Sequence, residues 1–362
     1  MNDEYAAAKT YVFCFFVVLC ETSEDAGVCK RYMTSYSGFW GELKKPFFVM
    51  APMADVTDAA FRRMFAKYGK PDVTWTEFVS ADGLCHPEGR LAMLGDLGYT
   101  EAERPIVAQV FTAHPDKMRE AAQIILGLGF DGIDINMGCP DKNVMKQGAG
   151  AKLMQDPALA RSLVAAAKEG VEGKIPVSVK TRIGFNKDEL DVWLPELLSE
   201  RPAAITVHAR TKKEMSLVPA RWEYVARAVE LARGTGVLII GNGDVRSMEE
   251  ARQRVAETGC DGVMIGRGLF GNPWFFAEQE VSLDECLRAL IEHTELYESL
   301  FHGQKSFEIM KKHYKAYAHG FDGAHGLRAA LMECHDAPSV RERVEDFLLH
   351  RAAAAIDKPP ID

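Results

Sequence analysis

Eight short apolar runs, interleaved with helical stretches, leave this chain few ways to fold. They are Phe47–Ala51, Val73–Val79, Ile106–Phe111, Gly132–Asn136, Val177–Thr181, Ile205–Ala209, Val237–Gly241 and Gly262–Gly266. Several are nearly continuous Val, Ile and Met, the pattern of parallel strands buried on both faces. The segments between them run to roughly 20–40 residues, long enough for a helical crossover. Pro115–Leu128, Pro157–Glu169, Trp222–Ala232 and Ser247–Glu257 carry helical periodicity. Eight repeated βα units of one hand predict an α/β fold, a closed (β/α)8 TIM barrel. A doubly wound open sheet would put a Gly-rich turn after its first strand, where this chain has Pro52-Met53-Ala54. Beyond Trp274 the pattern is helical only, over Asp284–Leu300, Ser306–Ala318, Gly323–Met332 and Ser339–His350. The expected organisation is an N-terminal extension (1–45) with no assigned role, a barrel (46–282), an appended helical domain (283–350) and a tail (351–362).

Composition narrows the function classes. At 47% hydrophobic and 26% charged residues, the chain is neither disordered nor a disulfide miniprotein. With 43 Lys and Arg against 52 Asp and Glu, its net charge of −9 argues against bulk electrostatic binding of nucleic acid but leaves room for a local basic patch. The eight cysteines form no CxxC pair, which favours neither a metal site nor a disulfide framework and points to reduced thiols in the cytoplasm. The apolar run Tyr11–Cys20 falls well short of the ~20 residues of a membrane span and lacks the flanks of a signal peptide. Met33 is an alternative start, and a monomer is expected.

A barrel keeps its chemistry on the loops after its strands. Read in that order, the chain offers Pro52 and Met53; Gln109; Asn136-Met137-Gly138-Cys139-Pro140; Lys180 and Arg182; His208 and Arg210; Gly241-Asn242-Gly243-Asp244; and Gly266-Arg267-Gly268. Nearly every strand delivers a polar or reactive group at the same end. The last two turns, with helix N-termini following, suit a phosphate, and Arg267 would supply its counter-charge. Lys180 is open to three readings: a Schiff-base amine, an electrostatic partner of an anionic cofactor ring, or a salt-bridged barrel lysine. With Arg182 and His208 beside it, the cluster suits an electron-rich ring better than an amine acting alone. Cys139 sits in a Gly-Cys-Pro turn at the catalytic face, and without a His or Asp at a useful spacing it reads as a general acid rather than a thiolate nucleophile.

Eleven cations fall on or just after these loops: Lys142, Lys146, Lys152, Lys180, Arg182, Lys187, Arg210, Lys212, Lys213, Arg246 and Arg267. So basic a mouth on an acidic protein points to a polyanion above the site. The segment Phe307–His319 interleaves Lys311, Lys312 and Lys315 with His313, Tyr314 and Tyr317. This mix suits RNA, with aromatics stacking bases and lysines meeting phosphates, and equally suits an amphipathic helix burying Ile309, Met310 and Tyr317.

Over roughly residues 46–347 the chain resembles the tRNA-dihydrouridine synthases. The resemblance lies in APMADVTDAAFRRM, TEFVSADGL, AQVF, GIDINMGCPDKNVMKQGAGAKLM, VSVKTRIGF, ITVHART, IIGNGDV and GVMIGRGLFGNPW, with MKKHYKAYAHGFDGAHGLRAAL in the helical part. It implies an FMN enzyme that reduces a uridine of tRNA, with NADPH recharging the flavin. By the resemblance, Pro52, Met53 and Ala54 would line the flavin, Gln109 and Lys180 would face its ring and His208 would contact it. Asn242, Gly243, Asp244, Gly266 and Arg267 would hold the ribityl chain and phosphate. Cys139 would give the proton, and Asn136 and Arg182 would orient the base. Charge placement, rather than the resemblance, makes Arg210, Lys311 and Lys315 the expected RNA contacts. The chain departs from the family pattern at Ala209, where a Gly is usual, and in TKKEMSLVPARW, which lacks a Tyr-x-Gly. The rival readings are an FMN-dependent dehydrogenase of free pyrimidines, a barrel lyase using Lys180, and a non-catalytic RNA-binding module.

Overall fold

The structure is a computed structural model that describes residues 37–356; the Tyr11–Cys20 run, Met33 and the last residues of the tail lie outside them. Eight parallel strands form the barrel: β1 (Phe47–Met50), β2 (Thr74–Ser80), β3 (Ile106–Phe111), β4 (Gly132–Met137), β5 (Val177–Arg182), β6 (Ala204–His208), β7 (Leu238–Asn242) and β8 (Gly262–Ile265). From β2 to β8 each strand pairs in parallel with the next, with one register shift in β2 between Trp75 and Phe78, and β1 pairs with β8. The ring closes between β1 and β2, where Met50 N–H donates to Val73 O at 3.2 Å and Asp72 N–H to Phe48 O at 2.9 Å. The fold is the (β/α)8 barrel expected of eight buried apolar runs.

The connecting helices are α1 (Ala59–Tyr68), α2 (Ala81–Cys85), α3 (Pro87–Asp96), α4 (Pro115–Gly127), α5 (Lys142–Lys146), α6 (Pro157–Gly170), α7 (Leu190–Ser199), α8 (Glu223–Ala232) and α9 (Met248–Thr258). Their starts obey local chemistry: Asp58, Asp156 and Ser247 each accept a backbone N–H of the first turn, and Pro115 and Pro157 occupy first-turn positions where no donor is needed. The helices bury their apolar faces on the outer surface of the sheet, around Ile125, Leu163, Leu194 and Val225.

The interior at the N-terminal end of the barrel is filled by Phe47, Val49, Trp75, Val107, Ile240 and Met264. Trp40, assigned from sequence to the extension, plugs this end, its ring centroid 5.5 Å from Phe47 and 5.7 Å from Trp75. Burying a ring of that size stabilises the closed end by about 2–3 kcal/mol.

The helical domain comprises α10 (Leu283–Phe301), α11 (Lys311–Tyr317), α12 (Ala324–Met332) and α13 (Ala337–Ile356). Two differences from the sequence reading have plain causes. The second helix is split by a turn at Phe307–Ile309, and the last continues to Ile356 because RAAAA favours helix. The domain packs on α1 through Ala59, Ala60 and Met64 and on Trp274, so it is fastened to the β1 side of the barrel. Among the described residues no helix is long and apolar enough to cross a membrane.

Candidate active site

Strands β2 to β8 and the turn after β1 contribute to a cavity of about 690 Å³ at the C-terminal ends of the strands. The sequence-derived residues that line it are Pro52, Met53, Gln109, Asn136, Cys139, Lys180, Arg182, His208, Arg210, Asn242, Gly243, Asp244, Gly266 and Arg267. Ala54 does not line it and is exposed, because the turn after β1 rolls outward beyond Met53. Lys311 and Lys315 lie on α11, away from the lining. Phe78, Met215 and Ser216 also line the cavity and escaped the sequence reading.

The thiol-bearing turn is locked by its neighbours. Asn136 Oδ1 accepts from the N–H groups of Gly138 (3.1 Å) and Cys139 (2.9 Å). Cys139 O accepts from Ala151 N–H at 2.9 Å, and Gly138 O from Arg182 Nε at 2.8 Å. Gly150 runs under the turn with φ 60°, and a Cβ there would lie 2.9 Å from Cys139 O, so the glycine is needed for the close approach. Behind Asn136, a buried chain continues: its Nδ2 donates to Gln109 Oε1 (3.0 Å), and Gln109 Nε2 donates to Asp134 Oδ2 (2.7 Å). Burial pushes Asp134 up to about 6, with Ser178 and Gln109 opposing. An aspartate amid the apolar residues of β4 is the signal that could have revealed this anchor.

Burial also pushes the Cys139 thiol above its ordinary value, outweighing the Asp141 N–H, Arg182 and Lys180, which pull it down. Protonated at neutral pH, it is an acid rather than a thiolate. Among the described residues it is the one cysteine that lines the cavity. Opposite in character is Lys180, whose Nζ donates to Asn242 Oδ1 at 3.2 Å. Burial, then the charge of Arg182, lowers its pKa to about 8, so it remains largely cationic at pH 7. Burial likewise brings Arg182 down to about 10, still charged. Half-buried His208, its charged form opposed first by desolvation and then by these cations, is held well below its usual range and is neutral.

The glycine turns differ from expectation in one respect. After β8 there follows a single 3-10 turn, Arg267–Leu269, rather than an α-helix, and the first turn of α9 is capped by Ser247. The close approach is nevertheless built in: a Cβ on Gly243 (φ 139°) would lie 2.6 Å from Ala220 Cβ. Asp244 sits between two arginines, pairing with Arg210 and, at 2.8 Å, with Arg267, and it accepts Ala220 N–H at 2.8 Å. The guanidinium of Arg210 also donates through Nε to Val218 O (2.6 Å) and is 2% exposed, so it braces the site rather than facing a macromolecule. Arg267 keeps a largely exposed side chain.

At the rim, Lys142, Lys146, Lys187, Lys213 and Arg246 are exposed and pair with no acid among the described residues. Lys152 and Lys212 flank the Phe185 ring, their Nζ atoms 5.9 and 4.9 Å from its centroid. On α11 the mixed segment resolves towards packing: Met310, His313, Tyr314 and Tyr317 are buried, so those aromatics cannot stack on bases. Lys311 pairs with Glu308 at 2.8 Å and Lys312 with Asp55 at 3.2 Å, while Lys315 is exposed.

Fold and site together define a (β/α)8 protein with a cationic, thiol-bearing cavity at the strand ends and a helical domain docked beside it. The chain belongs to the dihydrouridine synthase (Dus) family, whose model matches residues 49–353. It is 39% identical over 315 residues to a probable tRNA-dihydrouridine synthase 2 of Bacillus subtilis, covering 85% of this chain and 96% of that protein. It is 38% identical to probable tRNA-dihydrouridine synthases of Staphylococcus aureus (85% and 95% covered) and Staphylococcus epidermidis (85% and 96%). Among solved structures, histamine dehydrogenase from Rhizobium sp. 4-9 aligns at 12% identity with a TM-score of 0.49, over 69% of this chain and 48% of that one.

Proposed function

We propose that this protein reduces uridines in tRNA to 5,6-dihydrouridine with FMN as its cofactor, NADPH as the reductant and Cys139 as the proton donor. One observation carries the reading: a protonated thiol on a rigid turn and two cations that form no salt bridge among the described residues, Lys180 and Arg182, line the same cavity. Relatives matched over nearly their whole length bear the name of that activity. The residues fit FMN in size and chemistry. A cavity of about 690 Å³ suits a ligand of this class, Gly243 and Gly266 bring backbone to its wall, and Arg267 offers a charge for a phosphate.

Bound there, FMN would supply the hydride that reaches carbon 6 of the uracil ring. The remaining work falls to the protein. Lys180 and Arg182 place positive charge where the ring system carries negative charge. Cys139 holds its proton at Sγ until carbon 5 can take it, and the resulting thiolate is eased by the same two cations and re-protonated from solvent. Asn136 keeps the turn in place, and neutral His208 adds no further charge. Both faces of the uracil must be reached, so the base has to leave its stack. The unpaired rim lysines and exposed Lys315 provide the surface on which the RNA backbone would lie. A free pyrimidine would need no such rim, which favours the RNA substrate.

The test is direct: purified protein, FMN, NADPH and an unmodified tRNA transcript, with the RNA read by mass spectrometry. Gain of two hydrogens at particular uridines is expected. Unmodified RNA together with reduction of free uracil or a related pyrimidine would overturn the reading in favour of the dehydrogenase.

A further inference from the structure

Strand β2 carries an irregularity between Trp75 and Phe78, where its register against β3 shifts. Bulges of this kind re-aim side chains beside active sites. Here the shift leaves Phe78 lining the cavity, while Glu77, only 6% exposed, binds two things that the barrel alone does not account for. One carboxylate oxygen accepts the N–H of Asp55, a residue held at φ 54° in the turn after β1. The other accepts from Lys305 Nζ at 2.8 Å, and Lys305 reaches in from the helical domain, where it also pairs with Asp96 at 2.7 Å. The same turn is held again from α11, by Lys312 on the Asp55 carboxylate. Within the turn, Met53 N–H donates to Thr57 Oγ1 at 2.9 Å, and Met53 O accepts from both Val56 and Thr57. Whatever fixes Asp55 therefore fixes Met53, which lines the cavity.

We propose that Glu77 and Lys305 are positioning residues, through which the helical domain sets the Met53 side of the cavity. This rests on the FMN reading above and deepens it. Neither residue lines the cavity; the pair acts through the left-handed Asp55, whose N–H has no other acceptor among the described residues. Removing Lys305 leaves Glu77 as a buried carboxylate without its counter-charge, a change that unsettles whatever it holds. In engaging RNA, the helical domain would thereby also brace the cofactor side of the site.

The experiment compares the wild type with Lys305→Met, Lys305→Arg and Glu77→Gln. Amide hydrogen exchange across residues 51–61, read without flavin, should quicken at least tenfold in Lys305→Met, with the other strand ends unchanged. The Kd for FMN should rise at least fivefold. Lys305→Arg should restore both, and Glu77→Gln, which keeps an acceptor for the Asp55 N–H and so should fold, should move both in the same direction by less. Unchanged exchange in this turn, or quickened exchange with FMN affinity intact, would overturn the positioning role. A wild-type protein that takes up no FMN would instead overturn the cofactor reading, a distinct result because the exchange measurement involves no flavin.

Discussion

Replacing Lys180 with methionine should stabilise the protein while removing its affinity for an anionic ring. In the free protein, the ammonium is half-buried beside Arg182, and its only side-chain hydrogen bond among the described residues is to Asn242. A fall in pKa from 10.5 to about 8 corresponds to ~3 kcal/mol of destabilisation from holding that charge at neutral pH. Methionine matches its length and needs no solvation. At ~2 cal/mol/K of unfolding entropy per residue over the described residues 37–356, relief of this strain should raise the Tm by ~5 °C. The sign of the pH dependence follows. The folded pKa lies below the unfolded one, so the penalty is fully present below pH 8 and disappears as pH rises from about 8 to 10.5. The Tm gap between variant and wild type, measured by circular dichroism without ligand, should therefore close across that window. In parallel, titration with FMN should show affinity weakened by at least tenfold. A variant less stable than wild type at pH 7, or a gap that ignores pH, would refute the claim that the lysine is a strained charge kept for binding.

Two other consequences concern acid stability and RNA. His293 and His313 are fully buried where the helical domain meets the barrel, 4.8 Å apart between ring centroids. Burial holds both below 6.5, His313 at about 3, so they stay neutral in the folded state while the unfolded chain takes up protons. Stability should fall as pH drops below 6.5, by up to ~1.4 kcal/mol per histidine per pH unit. Asp58, raised to about 6 by burial, opposes this between pH 6 and 3.8. Urea unfolding of His313→Phe at pH 7, 5.5 and 4.5 should show a flatter loss than wild type; an equal slope would contradict it. At the rim, changing Lys142 and Lys146 to Glu should weaken tRNA binding and reduce its salt slope by ~1 for each phosphate left without its lysine, with Tm unchanged. Filter binding at several salt concentrations would show otherwise if the slopes coincide.

The barrel was legible because strands buried on both faces must be almost wholly apolar, and their Val, Ile and Met runs announce this without any partner. The strand-end residues were legible for a geometric reason: parallel strands in a ring put all their C-terminal ends on one face. Residues whose roles depend on a partner were harder to read. Phe78 enters the cavity only because β2 is irregular, which its composition does not disclose. Arg210 resembles a rim cation in sequence, yet its charge is taken by Asp244 across the turn after β7. The lysine and tyrosine pattern of α11 is the same whether its aromatics face RNA or a core, and burial of Tyr314 and Tyr317 resolves it towards packing. Trp40 looked like part of an unassigned extension because its packing partners lie on β1 and β2, distant from it in pattern.

The central claim is that the Cys139 thiol protonates the reduced base above a bound flavin, and anaerobic single-turnover kinetics of Cys139→Ala test it most directly. The variant should bind FMN as tightly as wild type and be reduced by NADPH at the same rate. Oxidation of its flavin by tRNA should slow by ~10²–10⁴, the contribution of a positioned general acid. Wild-type rates of flavin oxidation and dihydrouridine formation in the variant would contradict the account.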